Sequence, residues 1–160
     1  MIILQDSKEQ EPLEFNHVAI DWVQVCALPF GDYWCVLKDN HIVPIVFERK
    51  ALGDFFSSFG GRYKAEKAKL RKAHRANVLY KVIIEEPLTE VLKGPDYGKV
   101  SGLGLVRTMF TWMERYEVET IFCKNRKEMA TYIAERFYAY GKEYTENQKR
   151  DAQNMAGKER

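Results

Sequence analysis

The amino-acid sequence predicts an α/β fold with a central sheet and flanking helices. Short β-branched and aromatic runs alternate with segments of helical apolar spacing. The apolar run Leu79 to Ile84 has the character of a strand covered on both faces. The 160 residues suffice for one hydrophobic core, and 46% hydrophobic with 30% charged residues is the balance of a globular domain.

Taken in order, Ile2-Ile3-Leu4 is a short first strand ending in the polar loop Asp6 to Pro12. Trp22 to Leu28 is the second strand, and Pro29-Phe30-Gly31 turns the chain into a third, Asp32 to Leu37. The turn Lys38-Asp39-Asn40-His41 returns it as a strand from Ile42 to Phe47, with Pro44 the weak point because it lacks an N–H. A helix begins near Leu52, breaks at Gly60-Gly61 and resumes from Arg62 to about Ala76. After Leu79 to Ile84, the stretch Pro87 to Val100 is expected to be mostly loop. Val106, Met109, Phe110, Met113 and Tyr116 follow helical spacing from about Gly102 onward. Glu119 to Cys123 is a short strand, and Asn125 can cap a last helix carrying Met129, Ile133, Phe137 and Tyr140. The expected division is a domain over 1–145 and a charged tail over 146–160, a frayed helix end or disordered.

Several function classes are disfavoured. No apolar run reaches the roughly 18 residues of a membrane span, and the first residues lack the pattern of a signal peptide. Cys26, Cys35 and Cys123 are too far apart for a structural zinc site and read as free, buried thiols of a reducing cytoplasm. His17, His41 and His74 are isolated, and Trp22, Trp34 and Trp112 read as core residues. Net charge is only +2, but Arg62 to Arg75 carries seven Lys/Arg against one acid, Glu66. Such a run either tracks a phosphate backbone, with Arg62, Lys64 and Lys69 as candidate contacts, or is a solvated helix face.

The hairpin carries the chemistry. With its turn centred on Asn40, antiparallel pairing sets Asp32 opposite Glu48, with Cβ atoms roughly 5 Å apart on one face. Two such carboxylates repel unless a cation lies between them. Lys50, two residues beyond Glu48, points to the same face. Two hard oxygen donors suit Mg²⁺ or Mn²⁺, with the backbone carbonyl of Arg49 a candidate third ligand. Lys50 would orient an attacking water or stabilise a phosphoryl transition state. Asp54 is either a neighbour of the metal site or an ordinary first-turn helix residue.

Gly31-Asp32-Tyr33 followed by Glu48-Arg49-Lys50-x-x-x-Asp54 resembles the signature of the XPF nuclease family, which includes the archaeal Hef nuclease and small prokaryotic and phage members. Asp6-Ser7-Lys8-Glu9-Gln10-Glu11-Pro12 is similar to its D-x-R-E-Q-x-P segment, and Gly61-Arg62-Tyr63 with Glu66 to its G-R-x-x-x-Q helix. The resemblance implies a restriction-endonuclease-like fold, a mixed sheet flanked by helices, and a metal-dependent endonuclease acting on double-stranded or branched DNA. It implies a metal site of Asp32, Glu48 and the Arg49 carbonyl, with Lys50 catalytic and Asp6, Glu9, Arg49 and Asp54 completing the active site. Arg62 would lie beside it, suited to a phosphate. Family members commonly dimerise through the last helices. The aromatic surplus there, Tyr132, Phe137, Tyr138, Tyr140 and Tyr144, suits either a homodimer surface or packing on the sheet. Lys8 replaces the family's Arg, turning a bidentate contact into a point charge, and Glu66 replaces its Gln. With no tandem helix-hairpin-helix domain following, targeting is expected from the chain's own surface, a dimer or another protein. The alternative is a catalytically inactive DNA-binding or scaffolding subunit of the same fold. Repair, recombination, mobile-element processing and phage replication all remain open.

Overall fold

The structure is a computed structural model that describes residues 1–58, 62–96 and 101–158. Six strands, β1 (Ile2–Asp6), β2 (Trp22–Cys26), β3 (Tyr33–Val36), β4 (Ile45–Lys50), β5 (Leu79–Ile84) and β6 (Glu119–Phe122), form one mixed sheet in the order β2-β1-β3-β4-β5-β6. The pairs β1–β2, β4–β5 and β5–β6 are parallel, and β1–β3 and β3–β4 antiparallel. The helices are α1 (Leu52–Ser58), α2 (Tyr63–Arg75), α3 (Leu88–Lys93), α4 (Gly102–Tyr116) and α5 (Arg126–Lys158).

Strand alternation sends neighbouring side chains to opposite faces, so the sheet has two cores. Ile3, Tyr33, Phe47 and Ile83 pack against Met129, Ile133 and Phe137 of α5 on one face. Val46, Tyr80, Val82 and Ile84 pack against Phe55, Leu70, Leu105 and Trp112 on the other. The α5 cap forms as expected: Glu128 N–H donates to Asn125 Oδ1 at 2.9 Å, and the Glu128 carboxylate accepts from Lys124 N–H at 2.7 Å.

The departures from expectation are local. Pro44 keeps the fourth strand from forming before Ile45. Val36 bridges to Ile42 beside the turn, whereas Tyr33 pairs with Phe47, so the returning chain holds two extra residues and bulges around Val43-Pro44. Asn40 takes the left-handed conformation of the turn, φ 64°. Within the expected loop, Leu88–Lys93 forms α3 and buries Val91. Trp22 is 55% exposed rather than core, because β2 is an edge strand. The expected break at Gly60-Gly61 lies outside the described residues. Helix α5 continues through the charged residues after 145 as far as Lys158. No helix among the described residues is long and apolar enough to cross a membrane.

Candidate active site

Gly31 opens the site. Its φ of +72° is a left-handed conformation, and a Cβ there would lie 2.3 Å from Val46 Cγ2, so glycine alone fits the turn. The next residue, Asp32, donates its amide to the Phe47 carbonyl at 2.7 Å. That bond ties Asp32 to Phe47, the strand partner of Tyr33, and Asp32 lies close enough to Glu48 for their charges to act on each other across one cavity. Asp32 Oδ2 accepts the Arg49 amide at 2.7 Å, and among the described residues no hydrogen bond reaches its other oxygen.

Glu48 is held from three elements. Its Oε1 accepts from Lys50 Nζ at 3.3 Å and from Lys69 Nζ of α2 at 3.0 Å, and its Oε2 accepts from the Tyr80 hydroxyl of β5 at 2.7 Å. Glu66 of α2 meets Lys50 at 3.3 Å and Lys69 at 3.7 Å. Glu48, Lys50 and Glu66 are each 6% exposed. Charges this deeply buried require partners, and these residues supply them to one another. Arg49 points to the opposite face, where its guanidinium is clamped by Glu9 at 3.0 Å with Glu11 and Glu85 beyond.

The two facing carboxylates are not equivalent. Burial opposes the charge on Glu48, but Lys50, Lys69 and the Tyr80 hydroxyl together hold its pKa below the ordinary value. Asp32 forms no direct ion pair with an ammonium among the described residues, although the charge of Lys69 acts on it from further off. Burial first, then the charge of Glu48, pushes it up to about 7 against the Arg49 hydrogen bond. A cation beside Asp32 would relieve that cost, and hard carboxylate oxygens suit Mg²⁺ or Mn²⁺. Among the described residues no cluster of three or more His, Cys, Asp and Glu side chains could hold a metal, so an ion here would take backbone or water oxygens as well.

These groups surround an open cavity of about 210 Å³, which Lys8, Glu9, Gln10, Arg49, Asp54 and Arg62 also line. At its rim Arg62 pairs with Asp54 at 2.5 Å and also donates to Ser57. Two of the candidate residues lie apart from it. Asp6 does not line the cavity; its carboxylate accepts the Leu28 amide at 2.9 Å, bracing the chain after β2. Lys64 is exposed on α2 and does not line the cavity. Sequence reasoning missed Tyr80 and the pairing of Glu66 with Lys50. A tyrosine in a mostly apolar buried strand, whose hydroxyl must find a partner, was the available signal for the first. An acid in the family's glutamine position, facing a lysine, was the signal for the second. His41, set aside as isolated, stacks on Tyr144 at a ring separation of 4.0 Å and meets the Tyr140 hydroxyl at 3.1 Å, which ties the hairpin to α5.

A mixed sheet with helices on both faces, and an acid–lysine cavity where β3 and β4 meet, defines a domain of the restriction-endonuclease-like class. The chain belongs to the ERCC4 domain family, whose model matches residues 6–135. Its fold is similar to XPF from Aeropyrum pernix, with a TM-score of 0.60 and 20% identity over 83% of this chain and 61% of that one. It is similar also to XPF from Aeropyrum pernix in complex with DNA, with a TM-score of 0.64 and 22% identity over 87% of this chain and 65% of that one. The chain therefore spans less than two-thirds of the length of either structure. No curated protein matches it. The expected XPF-type nuclease domain and fold are borne out.

Proposed function

We propose that the chain is a Mg²⁺- or Mn²⁺-dependent endodeoxyribonuclease that hydrolyses phosphodiester bonds in branched, flapped or nicked duplex DNA. The observation that carries this is Asp32, a buried carboxylate in no direct ion pair among the described residues, facing Glu48 with Lys50 on the same side. Asp32 and Glu48 would hold the ion. The Arg49 amide faces Asp32, and a strand residue's carbonyl leaves on the same side as its amide, which suits Arg49 as third ligand. When bound, such an ion supplies positive charge to the phosphoryl oxygens and acidifies the attacking water.

The protein's own groups do the rest. Lys50, fixed between Glu48 and Glu66, presents a point charge to the attacking water or the transition-state phosphate. The Glu9–Arg49 pair stiffens the strand end from the other face, so Asp32 and the Arg49 backbone keep their spacing. Lys8, Arg62, Lys69 and, further out, Lys64 offer cations to the DNA backbone. Asp54 sets the direction of Arg62. Asp6 acts indirectly, by holding the Leu28 amide. The DNA held by XPF from Aeropyrum pernix supports DNA as the substrate. The free cysteines support a reducing cytoplasm, close to the nucleoid. A homodimer through the C-terminal helices is the assembly we favour, because α5 leaves Tyr138 46% exposed.

The test is incubation of purified protein with duplex, flap, fork and nicked DNA in Mg²⁺ or Mn²⁺. Cutting is expected, and Asp32→Ala and Glu48→Ala should each abolish it with an unchanged circular dichroism spectrum. Wild-type inactivity on every substrate with both metals would count against the proposal. DNA binding without any cleavage would select the non-catalytic subunit instead.

A further inference from the structure

Both oxygens of Glu48 are already engaged: Oε1 by two ammonium groups and Oε2 by Tyr80. Oε1 is saturated by the two ammonium groups, whereas Oε2 keeps a lone pair beside Tyr80. A cation that shares Oε1 with Asp32 must therefore replace an ammonium, and one that takes Oε2 repels both. The three partners are not equally replaceable. Tyr80 sits in a central strand and is 1% exposed, so its hydroxyl has nowhere else to go. Lys50 is 6% exposed, and Glu66 at 3.3 Å keeps it neutralised even when Glu48 turns to another cation. Lys69 differs on both counts. Its side chain is 43% exposed at the cavity mouth, and its second acid, Glu66, lies at 3.7 Å. A half-exposed lysine on a flexible stem gives up an ion pair at little cost.

From this asymmetry, and resting on the metal site proposed above, we infer that Lys69 is the displaceable counter-ion of Glu48. It neutralises the carboxylate before the metal arrives and is released to the cavity mouth by the metal, where it meets a DNA phosphate. Lys69 and the divalent ion thus compete for Glu48, and Lys69 and DNA cooperate once the ion is bound. Lys50 stays in place throughout. A lysine that merely lined the DNA path would have no influence on metal affinity in the absence of DNA.

The experiment is Mn²⁺ binding to the full chain without DNA, followed by the loss of the free-ion electron paramagnetic resonance signal. Wild type, Lys69→Gln, Lys69→Arg and Asp32→Asn are compared, with a thermal melt for each. Removing a half-exposed competing ion pair should tighten Mn²⁺ binding by roughly three- to fivefold in Lys69→Gln. Lys69→Arg, which keeps the charge, should stay near wild type, and Asp32→Asn should bind much more weakly. DNA binding in the presence of Ca²⁺ should weaken in Lys69→Gln. Unchanged or weaker Mn²⁺ binding by Lys69→Gln, with Asp32→Asn still impaired, overturns the role of Lys69 and leaves the metal site standing. Equal tightening in Lys69→Arg also overturns it. Mn²⁺ binding unaffected by Asp32→Asn places the ion elsewhere and removes both readings.

Discussion

Asp32 and Glu48 are two carboxylates on one face of one hairpin, yet their surroundings separate them. Glu48 receives two ammonium groups and a phenol, and Asp32 a single amide. A carboxyl whose folded pKa of about 7 stands above its ordinary value favours the native state when protonated. That contribution is complete below the unfolded value near 4 and disappears as pH rises through about 7. Metal-free wild type should therefore lose Tm between about pH 4 and 7 relative to Asp32→Asn, level off above that, and converge with the variant near pH 4. Saturating Mg²⁺ at pH 8 should restore wild type and leave the variant unmoved. Thermal melts across that range check this, and parallel curves for the two proteins would refute it. At this scale the sequence was readable where the chemistry is local. Asp32, Glu48 and Lys50 fall together because one turn and a two-residue alternation place them. Tyr80 and Glu66 arrive from β5 and α2, and no spacing within the hairpin announces them.

Among the elements, the hairpin shows how a correct pairing can conceal an unexpected path. A turn centred on Asn40 sets Asp32 beside Glu48 as observed, but the chain near the turn is paired two residues out of step and recovers through the bulge at Val43-Pro44. Pro44 was visible as a flaw in the strand, but not the local register. Helix α3 went unread because six residues are too few for a periodic pattern, and Gly94 and Pro95 dominate the reading. Its partner α4 begins at Gly102, where a Cβ would stand 2.1 Å from the Leu92 carbonyl oxygen and 2.6 Å from that of Val91. Those neighbours are backbone and cannot step aside. Gly102→Ala should therefore cost about 1–3 kcal/mol in urea denaturation by prying α4 from α3, and a loss under about 0.5 kcal/mol would show the contact to be slack. The site lies away from this contact, on the edge of α2, so metal binding should survive the change.

For the molecule as a whole, the two cores assign different tasks to the two faces of the sheet. The face of α1 to α4 carries the cavity, and the face of α5 carries the aromatic core, including the fully buried Phe137. The aromatic surplus of α5 is mostly absorbed within the chain: Tyr132 and Tyr140 pack on the core, and Tyr144 stacks on His41. Tyr138, although it packs on His17, stays 46% exposed, and this is the part of α5 offered to the proposed dimer. Sedimentation at micromolar concentration should give a dimer that Tyr138→Glu dissociates, and a monomeric wild type would remove α5 as an interface. The sheet-and-helix order and the long last helix were legible because each element repeats its pattern over many residues. The exposure of Trp22 was not, because hydrophobicity cannot tell an edge strand from a central one.

The proposed nuclease site depends on one ion position, so the most direct measurement is the anomalous density of a crystal soaked in Mn²⁺. A peak is expected between Asp32 and Glu48, with an oxygen of each and the Arg49 carbonyl within about 2.5 Å. A peak elsewhere, or carboxylates that share no ion at saturating Mn²⁺, would contradict the assignment of this cavity as a metal-dependent nuclease site.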